Sequence, residues 1–224
     1  MFGAVKAKWP FVATVAVLNW AGGLPADLPV DVWVLQYEDY NAAQAAQWRK
    51  AGKKQFWYHC IEPSGTQFLN TFIERPWIQG RLLYWLAAAN DVDGWLYYAD
   101  DLWIPHPGRA HTPIQRISDT PLTNWDPANY VWSPRTDIFA NGDGQFIYPG
   151  PTGPVVSARL LNMRDAVEDQ QLLSHAKLAA GNAAVDALIA KLVRGPEDHT
   201  DNPTLLEATR RQIAILADMV ADSE

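Results

Sequence analysis

The chain has 224 residues, enough for one large domain or two small ones with a substantial hydrophobic core. Its content of 48% hydrophobic and 19% charged residues is typical of a folded globular protein and excludes a disordered chain. The net charge of −7, without a dense cluster of Lys and Arg, argues against a nucleic-acid surface. One cysteine, Cys60, excludes an internal disulfide and a metal site built from several cysteines, but leaves the compartment open.

The amino-terminal 23 residues allow two interpretations. Lys6 and Lys8 precede an apolar stretch, as in a signal peptide. Pro10 breaks that stretch early, so we favour a strand here and keep the signal peptide as the alternative. No apolar run reaches the roughly 18 residues that a membrane span needs, and no membrane partner is expected.

The first half of the chain predicts strands and helices in alternation. The predicted strands are residues 11–18, 30–36, 54–60 and 95–98. One helix follows the cap Asn41 through Lys50, with Gly52 as its stop signal, and another covers residues 76–89. This alternation with short connections is typical of parallel strands joined by crossover helices.

The second half predicts a loop, a hairpin and three helices. Residues 104–135 are rich in proline, and the aromatic residues within them favour an ordered lid. The turn Asn141-Gly142-Asp143-Gly144, followed by a strand at 145–148, predicts a hairpin. Ser157 is predicted to cap a helix that ends near residue 178, and residues 182–193 and 203–221 predict two more helices.

The stretch 91–103 is the strongest candidate for a functional site. Its strand ends in two acids and an indole: Asp100, Asp101 and Trp103. In β/α barrels the chemistry gathers at the carboxyl ends of the strands. Aromatic rings beside carboxylates suit a sugar, which stacks its C–H face on a ring while its hydroxyls bind acids. The alternative is a core strand that runs into a solvated acidic turn.

Other acids also follow predicted strands. With Asp100 and Asp101 they are Glu38, Asp39 and Glu62. Glycoside hydrolysis commonly uses two carboxyl groups, which such a rim could supply. The alternative is structural, because acids favour loops and helix amino termini.

Several other chemistries have weak support. Adjacent strand residues point to opposite faces, so His59 and Cys60 should not form a thiol–imidazole pair. His106 and His111 lie in the Pro-rich loop without further ligands, so no metal is expected. No phosphate-cradling glycine loop is present, so no nucleotide cofactor is expected. Arg164 and Glu168 are four residues apart and predict a surface pair on a helix.

The ordered set of aromatic and glycine motifs resembles a known family. The motifs are Val30-Asp-Val-Trp-Val, Trp57-Tyr58 before Cys60, Asn70-Thr-Phe-Ile, Arg81-Leu-Leu with Trp85, Val92-Asp-Gly-Trp-Leu-Tyr, Gly142-Asp-Gly through Tyr148-Pro-Gly, and Arg159 through Arg164-Asp165 to Glu168-Asp169. In matching order over roughly residues 10–178, they resemble the C-terminal catalytic domain of glycoside hydrolase family 123.

The resemblance implies a (β/α)8 TIM barrel that removes terminal β-linked N-acetylgalactosamine by a substrate-assisted, retaining mechanism. In that mechanism the acetamide of the sugar attacks the anomeric carbon, while an adjacent Asp-Glu pair orients it and protonates the leaving group. This chain has no Asp-Glu dipeptide and only four predicted strands. It therefore corresponds to the second half of the domain, with about four βα units, a hairpin insertion and C-terminal helices, and no catalytic residue can be assigned.

The resemblance does imply a sugar-contacting rim. Its first candidates are Gln36, Tyr58, Tyr97 and Asp100, followed by His59, Tyr98, Asp101 and Trp103. The pattern leaves open whether Tyr97 or Tyr98 points into the barrel.

These inferences give three hypotheses. The first is an inactive portion of a glycosidase, with residues 1–180 as barrel and 181–224 as a helical extension, whose partners are a carbohydrate and the missing half of the barrel. The second is a sugar-binding or structural half-barrel that dimerises with a second copy. The third is a small hydrolase that uses Glu38 with Asp100 or Asp101. The family resemblance favours a secreted or periplasmic location.

Overall fold

The computed structural model describes residues 2–18, 24–63, 65–101, 141–150 and 152–219, which form a mixed α/β fold. The helices are α1 (Phe2–Lys8), α2 (Ala42–Lys50), α3 (Ile78–Ala89), α4 (Ala158–Ala180), α5 (Asn182–Ile189) and α6 (Pro203–Asp218). The strands are β1 (Val15–Leu18), β2 (Val32–Gln36), β3 (Lys54–Tyr58), β4 (Gly94–Leu96), β5 (Ile147–Pro149) and β6 (Pro154–Val156). The predicted lid at 104–135 lies outside the described residues.

Four of these strands form a parallel sheet in the order β1-β2-β3-β4. Helix α2 connects β2 to β3, and α3 lies between β3 and β4. This arrangement confirms the predicted alternation. Because the strands are parallel, their carboxyl ends lie along one side of the sheet, which we call the carboxyl edge.

One face of the sheet is covered by helices and forms the core. There Trp33 of β2 stacks on Trp48 of α2, with ring centroids 4.8 Å apart. Trp95 of β4 stacks on Tyr84 of α3 at 5.5 Å. Trp57 between them is buried, so large aromatic rings fill the space between sheet and helices.

The opposite face of the sheet carries the alternate residues. Val34 is in register with Phe56, and Phe56 with Gly94. A Cβ on Gly94 would lie 2.8 Å from the Phe56 ring, so this position needs glycine to accommodate the ring. On β1 this face is open, since Val17 is 53% exposed.

The helix caps confirm several sequence predictions. The Asn41 side chain accepts a hydrogen bond from the Gln44 amide, and the Ser157 side chain accepts one from the Leu160 amide. Gly52 follows α2 with a φ of +72°, which a glycine adopts without strain. Polar side chains therefore start these two helices where the sequence places them.

The first strand and the amino terminus differ from the prediction. Of the strand predicted at residues 11–18, only β1 (Val15–Leu18) forms. It is not fully buried, because it lies at an edge of the described sheet. Residues 2–8, which we did not predict as a helix, form α1. Lys6 of that helix makes an ion pair of 2.6 Å with Asp31, just before β2.

The third and fourth strands end earlier than predicted. Strand β3 ends at Tyr58, so His59 and Cys60 follow it rather than close it. Strand β4 ends at Leu96, so Tyr97 and Tyr98 also lie beyond the strand. Strand β4 is only partly buried, because the last strand of the described sheet has no neighbour on one side.

The prediction that Asn141–Gly144 forms the turn of a hairpin is wrong. The antiparallel hairpin pairs β5 with β6, and its connection lies around Gly150 and Gly153. The Asn141–Gly144 turn lies earlier, and Gln145 after it bridges to Asp101. Gly142 and Gly144 both have positive φ values, so the sequence signal identified a tight turn but not the strands that pair.

The C-terminal helices pack on the preceding ones. Helix α6 packs on α4, and α5 contacts both α3 and α4. Val185, Ile189, Leu206 and Ile213 are buried in the same hydrophobic cluster as the sheet residues. Helix α5 ends at Ile189, earlier than predicted, and the predicted division at residue 180 stays a prediction.

Candidate functional site

A chain of polar side chains lies at the carboxyl edge of β2 and β3. The Tyr58 hydroxyl donates to Gln36 Oε1 at 3.3 Å, and Gln36 Nε2 donates to Glu38 Oε1 at 2.5 Å. Gln36 is buried, whereas Tyr58 and Glu38 are half-buried. Two of the predicted sugar-contacting residues, Gln36 and Tyr58, are thus brought together.

The electrostatics of this polar chain favour neutral groups. Burial raises the pKa of Glu38, and the neighbouring carboxylates Asp39 and Glu62 add to the shift. Burial also raises the pKa of Tyr58 to about 12, so its hydroxyl keeps its proton at neutral pH. The edge therefore presents amide, hydroxyl and carboxyl groups that can donate to and accept from the hydroxyls of a ligand.

Tyr97 and Tyr98 differ in environment. The Tyr97 ring stacks between His59 and Phe146, with centroid distances of 4.7 Å to each. Its hydroxyl donates to Asp143 Oδ1 at 2.9 Å and accepts from the Gly144 amide at 2.7 Å. Tyr98 is 44% exposed. Of the two rings, Tyr97 is packed within the described fold and Tyr98 is the accessible one at the edge, while the side that faces a barrel interior stays a prediction.

His59 is fully buried and fixed at both ring nitrogens. The Trp95 indole, which can only donate, gives its hydrogen bond to His59 Nδ1 at 3.0 Å. Nδ1 is therefore unprotonated, and Nε2 carries the proton and donates to Thr71 Oγ1 at 2.8 Å. Burial lowers the pKa of His59 to about 3. His59 therefore has no exposed surface that could contact a sugar. Its hydrogen bonds instead hold Trp95 and Thr71 in place behind the carboxyl edge.

Cys60 does not have the properties of an activated nucleophile. Burial raises the pKa of its thiol, which keeps the sulfur protonated at neutral pH. Neither nitrogen of the His59 ring binds the sulfur, since both have other partners.

The acids after β4 are exposed. Asp100 accepts a hydrogen bond from the Ile147 amide through its backbone carbonyl at 2.8 Å, and Asp101 bridges to Gln145. Their side chains are free to face solvent or a ligand. Trp103, also predicted to contact sugar, lies outside the described residues, as do His106 and His111.

Asp143 is the site residue that sequence reasoning missed. It is only 2% exposed and lies against Tyr97 at the carboxyl edge. Burial raises its pKa to about 6, although the hydrogen bond from Tyr97, the nearby Tyr98 hydroxyl and the charge of Arg159 oppose the shift. The available signal was an acid between two glycines, a pattern that we interpreted only as a turn.

Arg159 of α4 holds this turn in place. Its Nη1 donates to the carbonyls of Thr71 and Gly142, each at 2.9 Å, and its Nη2 contacts the Gln145 carbonyl. A Cβ on Gly142 would collide with the guanidinium. The glycine and the arginine together fix Asp143 beside the edge of the sheet.

Two findings apply to the described residues alone. They contain no group of three or more His, Cys, Asp or Glu side chains arranged to hold a metal ion. None of their helices is both long and apolar enough to cross a bilayer.

In α/β proteins with parallel strands, ligands and reacting groups gather at the carboxyl ends of the strands, which is where this sheet carries its tyrosines, amide and acids. The family model "Glycoside hydrolase 123, catalytic domain" matches residues 7–176, about three quarters of the chain. The chain belongs to this family. No curated protein sequence gives a significant match.

Proposed function

We propose that this chain binds a terminal β-linked N-acetylgalactosamine at the carboxyl edge of its sheet, as one arc of a (β/α)8 barrel. The observation that carries the proposal is the linked set Tyr58–Gln36–Glu38 at the same carboxyl edge as the exposed ring of Tyr98. Four parallel strands in sequential order, with helices on one face, are compatible with half of such a barrel.

The chemistry of the edge fits one sugar ring. The exposed Tyr98 ring offers a flat surface for the C–H face of the sugar. Gln36 and Tyr58 supply amide and hydroxyl groups for its hydroxyls, and Asp100 is an exposed acceptor. In the family mechanism the acetamide of the sugar attacks the anomeric carbon, and an adjacent Asp-Glu pair assists it.

We further propose that the 224-residue chain does not hydrolyse glycosides by itself. The sequence contains no Asp-Glu dipeptide to orient the acetamide and protonate the leaving oxygen. Binding without turnover is therefore the expected behaviour of the chain.

Two measurements test the proposal. The chain should give no hydrolysis of an aryl N-acetyl-β-galactosaminide, whereas an NMR titration should detect binding of methyl N-acetyl-β-galactosaminide. Tyr98→Ala should weaken that binding about fivefold, which corresponds to an aromatic contact of about 1 kcal/mol. The matched control is Trp9→Ala, which removes an exposed aromatic ring on the amino-terminal side of the sheet.

Two results would contradict the proposal. Equal binding by wild type and Tyr98→Ala would show that Tyr98 does not contact the sugar. Clear turnover that is abolished by Asp100→Asn or Asp101→Asn would place the catalytic acids within this chain and favour the small-hydrolase hypothesis.

A second candidate function is a half-barrel that pairs with another copy of itself. It is favoured by the open edge of the described sheet, where Val15 and Val17 of β1 are 47% and 53% exposed. An unpaired strand edge with apolar side chains is a ready surface for pairing with another chain.

A further inference from the structure

Asp143 combines deep burial with an incomplete set of hydrogen bonds. Its Oδ1 accepts from the Tyr97 hydroxyl at 2.9 Å. Its Oδ2 is buried but has no hydrogen-bond partner of acceptable geometry among the described residues. A buried carboxylate oxygen without a hydrogen-bond donor costs folding free energy, so we expect a donor for Oδ2.

Two groups beside the carboxyl can donate to it, the Tyr98 hydroxyl and the Ile61 amide, and the hydroxyl has the larger effect on its pKa. The rings of Tyr97 and Tyr98 are adjacent, with centroids 5.4 Å apart. The Tyr98 hydroxyl lies close enough to the Asp143 carboxyl to lower its pKa. Tyr97 is not available to bind Oδ2, because its hydroxyl already donates to Asp143 Oδ1 and accepts from the Gly144 amide.

We propose that Asp143 is a positioning residue for the sugar site: its Oδ2 receives the Tyr98 hydroxyl and fixes the exposed Tyr98 ring as the stacking surface. This inference rests on the proposed function for its sugar, but the contact between Asp143 and Tyr98 can be tested without any ligand. The Asn141–Gly144 turn, held by Arg159, is the rigid support from which Asp143 acts.

The charge state of Asp143 sets the strength of this contact. A hydroxyl binds a charged carboxylate more strongly than a neutral carboxylic acid. The pKa of Asp143 is raised to about 6, so the contact should be strong near neutral pH and weaken in mild acid. The other titratable groups around it are Tyr97, Tyr98, Cys60 and Arg159. Burial raises the pKa values of Tyr97, Tyr98 and Cys60 above their ordinary values, so none of these three titrates near pH 6.

The first experiment follows the Tyr98 ring resonances by NMR between about pH 5 and 7.5, assigned through their loss in Tyr98→Phe. In the wild type they should shift with a midpoint near that of Asp143, and in Asp143→Asn the shift should vanish. The matched control is Asp93→Asn, which changes an exposed aspartate that accepts the Gln55 amide at the other end of the sheet. Tyr98 resonances that do not titrate in the wild type would overturn the inference.

The second experiment measures affinity for methyl N-acetyl-β-galactosaminide. Asp143→Asn should bind about threefold more weakly near neutral pH, a smaller loss than that of Tyr98→Ala, because it loosens the stacking ring without removing it. Asp143→Asn and Tyr98→Phe should not add in the double variant, because both remove the same contact. Additive losses would overturn the positioning role. Absence of sugar binding by the wild type would refute the proposed function, and the Tyr98 titration would still decide the contact itself.

Discussion

His59 and Asp143 are two buried titratable residues at the same edge of the sheet, and burial moves their pKa values in opposite directions. His59 has partners at both ring nitrogens and a pKa near 3, so it stays neutral. Asp143 has a pKa raised to about 6 and is charged at neutral pH at a cost in stability. A completely bonded residue is part of the scaffold, whereas an incompletely bonded charge is a candidate for function.

The lowered pKa of His59 predicts acid sensitivity. An imidazole that stays neutral in the folded state binds a proton more readily once unfolded, so its contribution to stability is present above pH 6.5. That contribution is lost as the pH falls from 6.5 towards 3. By about pH 5.5 the wild type should lose about 1.4 kcal/mol of unfolding free energy relative to His59→Gln.

Urea unfolding of wild type and His59→Gln at two pH values measures this difference. Glutamine retains a donor and an acceptor for Thr71 and Trp95 but does not titrate. The conservative variant His175→Gln, at an exposed position of α4, serves as the control. A constant difference in stability between wild type and His59→Gln across the pH range would show that His59 is not held neutral.

At the scale of elements, α3, α4 and α6 are joined by one buried carboxylate. Asp169 of α4 is fully buried and accepts from Arg81 Nε at 2.8 Å and from the Trp85 indole at 2.9 Å, both on α3. Arg210 of α6 donates to it at 2.7 Å. The family match ends at residue 176, so α6 supplies a charge to a network that lies otherwise within the family domain.

Removal of this carboxylate should destabilise the protein strongly. Asp169→Asn leaves the mostly buried guanidinium of Arg81 and the partly exposed one of Arg210 facing a neutral side chain, with an expected cost of about 3 kcal/mol. The matched control is Asp165→Asn on the same helix, which removes an exposed pair with Arg164. Surface pairs contribute little, so the urea midpoint of the control should be unchanged.

The comparison of these two variants decides the role of α6. A cost for Asp169→Asn no larger than that for Asp165→Asn would mean that the three helices are held by apolar packing alone.

The exposed Arg164–Glu168 contact, at 3.8 Å, confirms the pairing expected from the sequence. It is a surface ion pair, which contributes little to stability.

At the scale of the whole molecule, the described sheet has one covered face and one that is partly open. Helices α2 and α3 bury the aromatic side, whereas β1 exposes Val15 and Val17 on the other side. A parallel sheet is normally covered on both faces. We propose that the exposed valines are the surface on which further strands or a second copy would pack.

Sedimentation velocity over a range of concentrations tests this surface. The wild type should associate as its concentration rises, and Val17→Lys should remain monomeric because a charged side chain on an edge strand opposes pairing. Ile215→Lys, at an exposed position of α6, is the matched control and should behave like the wild type. Association that persists unchanged in Val17→Lys would show that the contact between copies lies on another surface.

Local patterns in the sequence were sufficient for much of the architecture. Helices α2 and α4 begin at Asn41 and Ser157, where short polar side chains accept amide hydrogens within the same few residues. The parallel sheet follows from alternating elements with short connections, and the family follows from ordered motifs along the chain. These features depend on neighbours in sequence, so the sequence by itself determined them.

Tertiary contacts decided which of the candidate residues are buried and which are accessible. The choice between Tyr97 and Tyr98 depends on Phe146 and Asp143, which lie more than 40 residues away along the chain. The burial of Asp143 depends on Arg159 of α4, and the hairpin depends on which strands meet across Gly150. Periodicity describes one segment at a time, whereas burial and pKa are set by groups that only folding brings together.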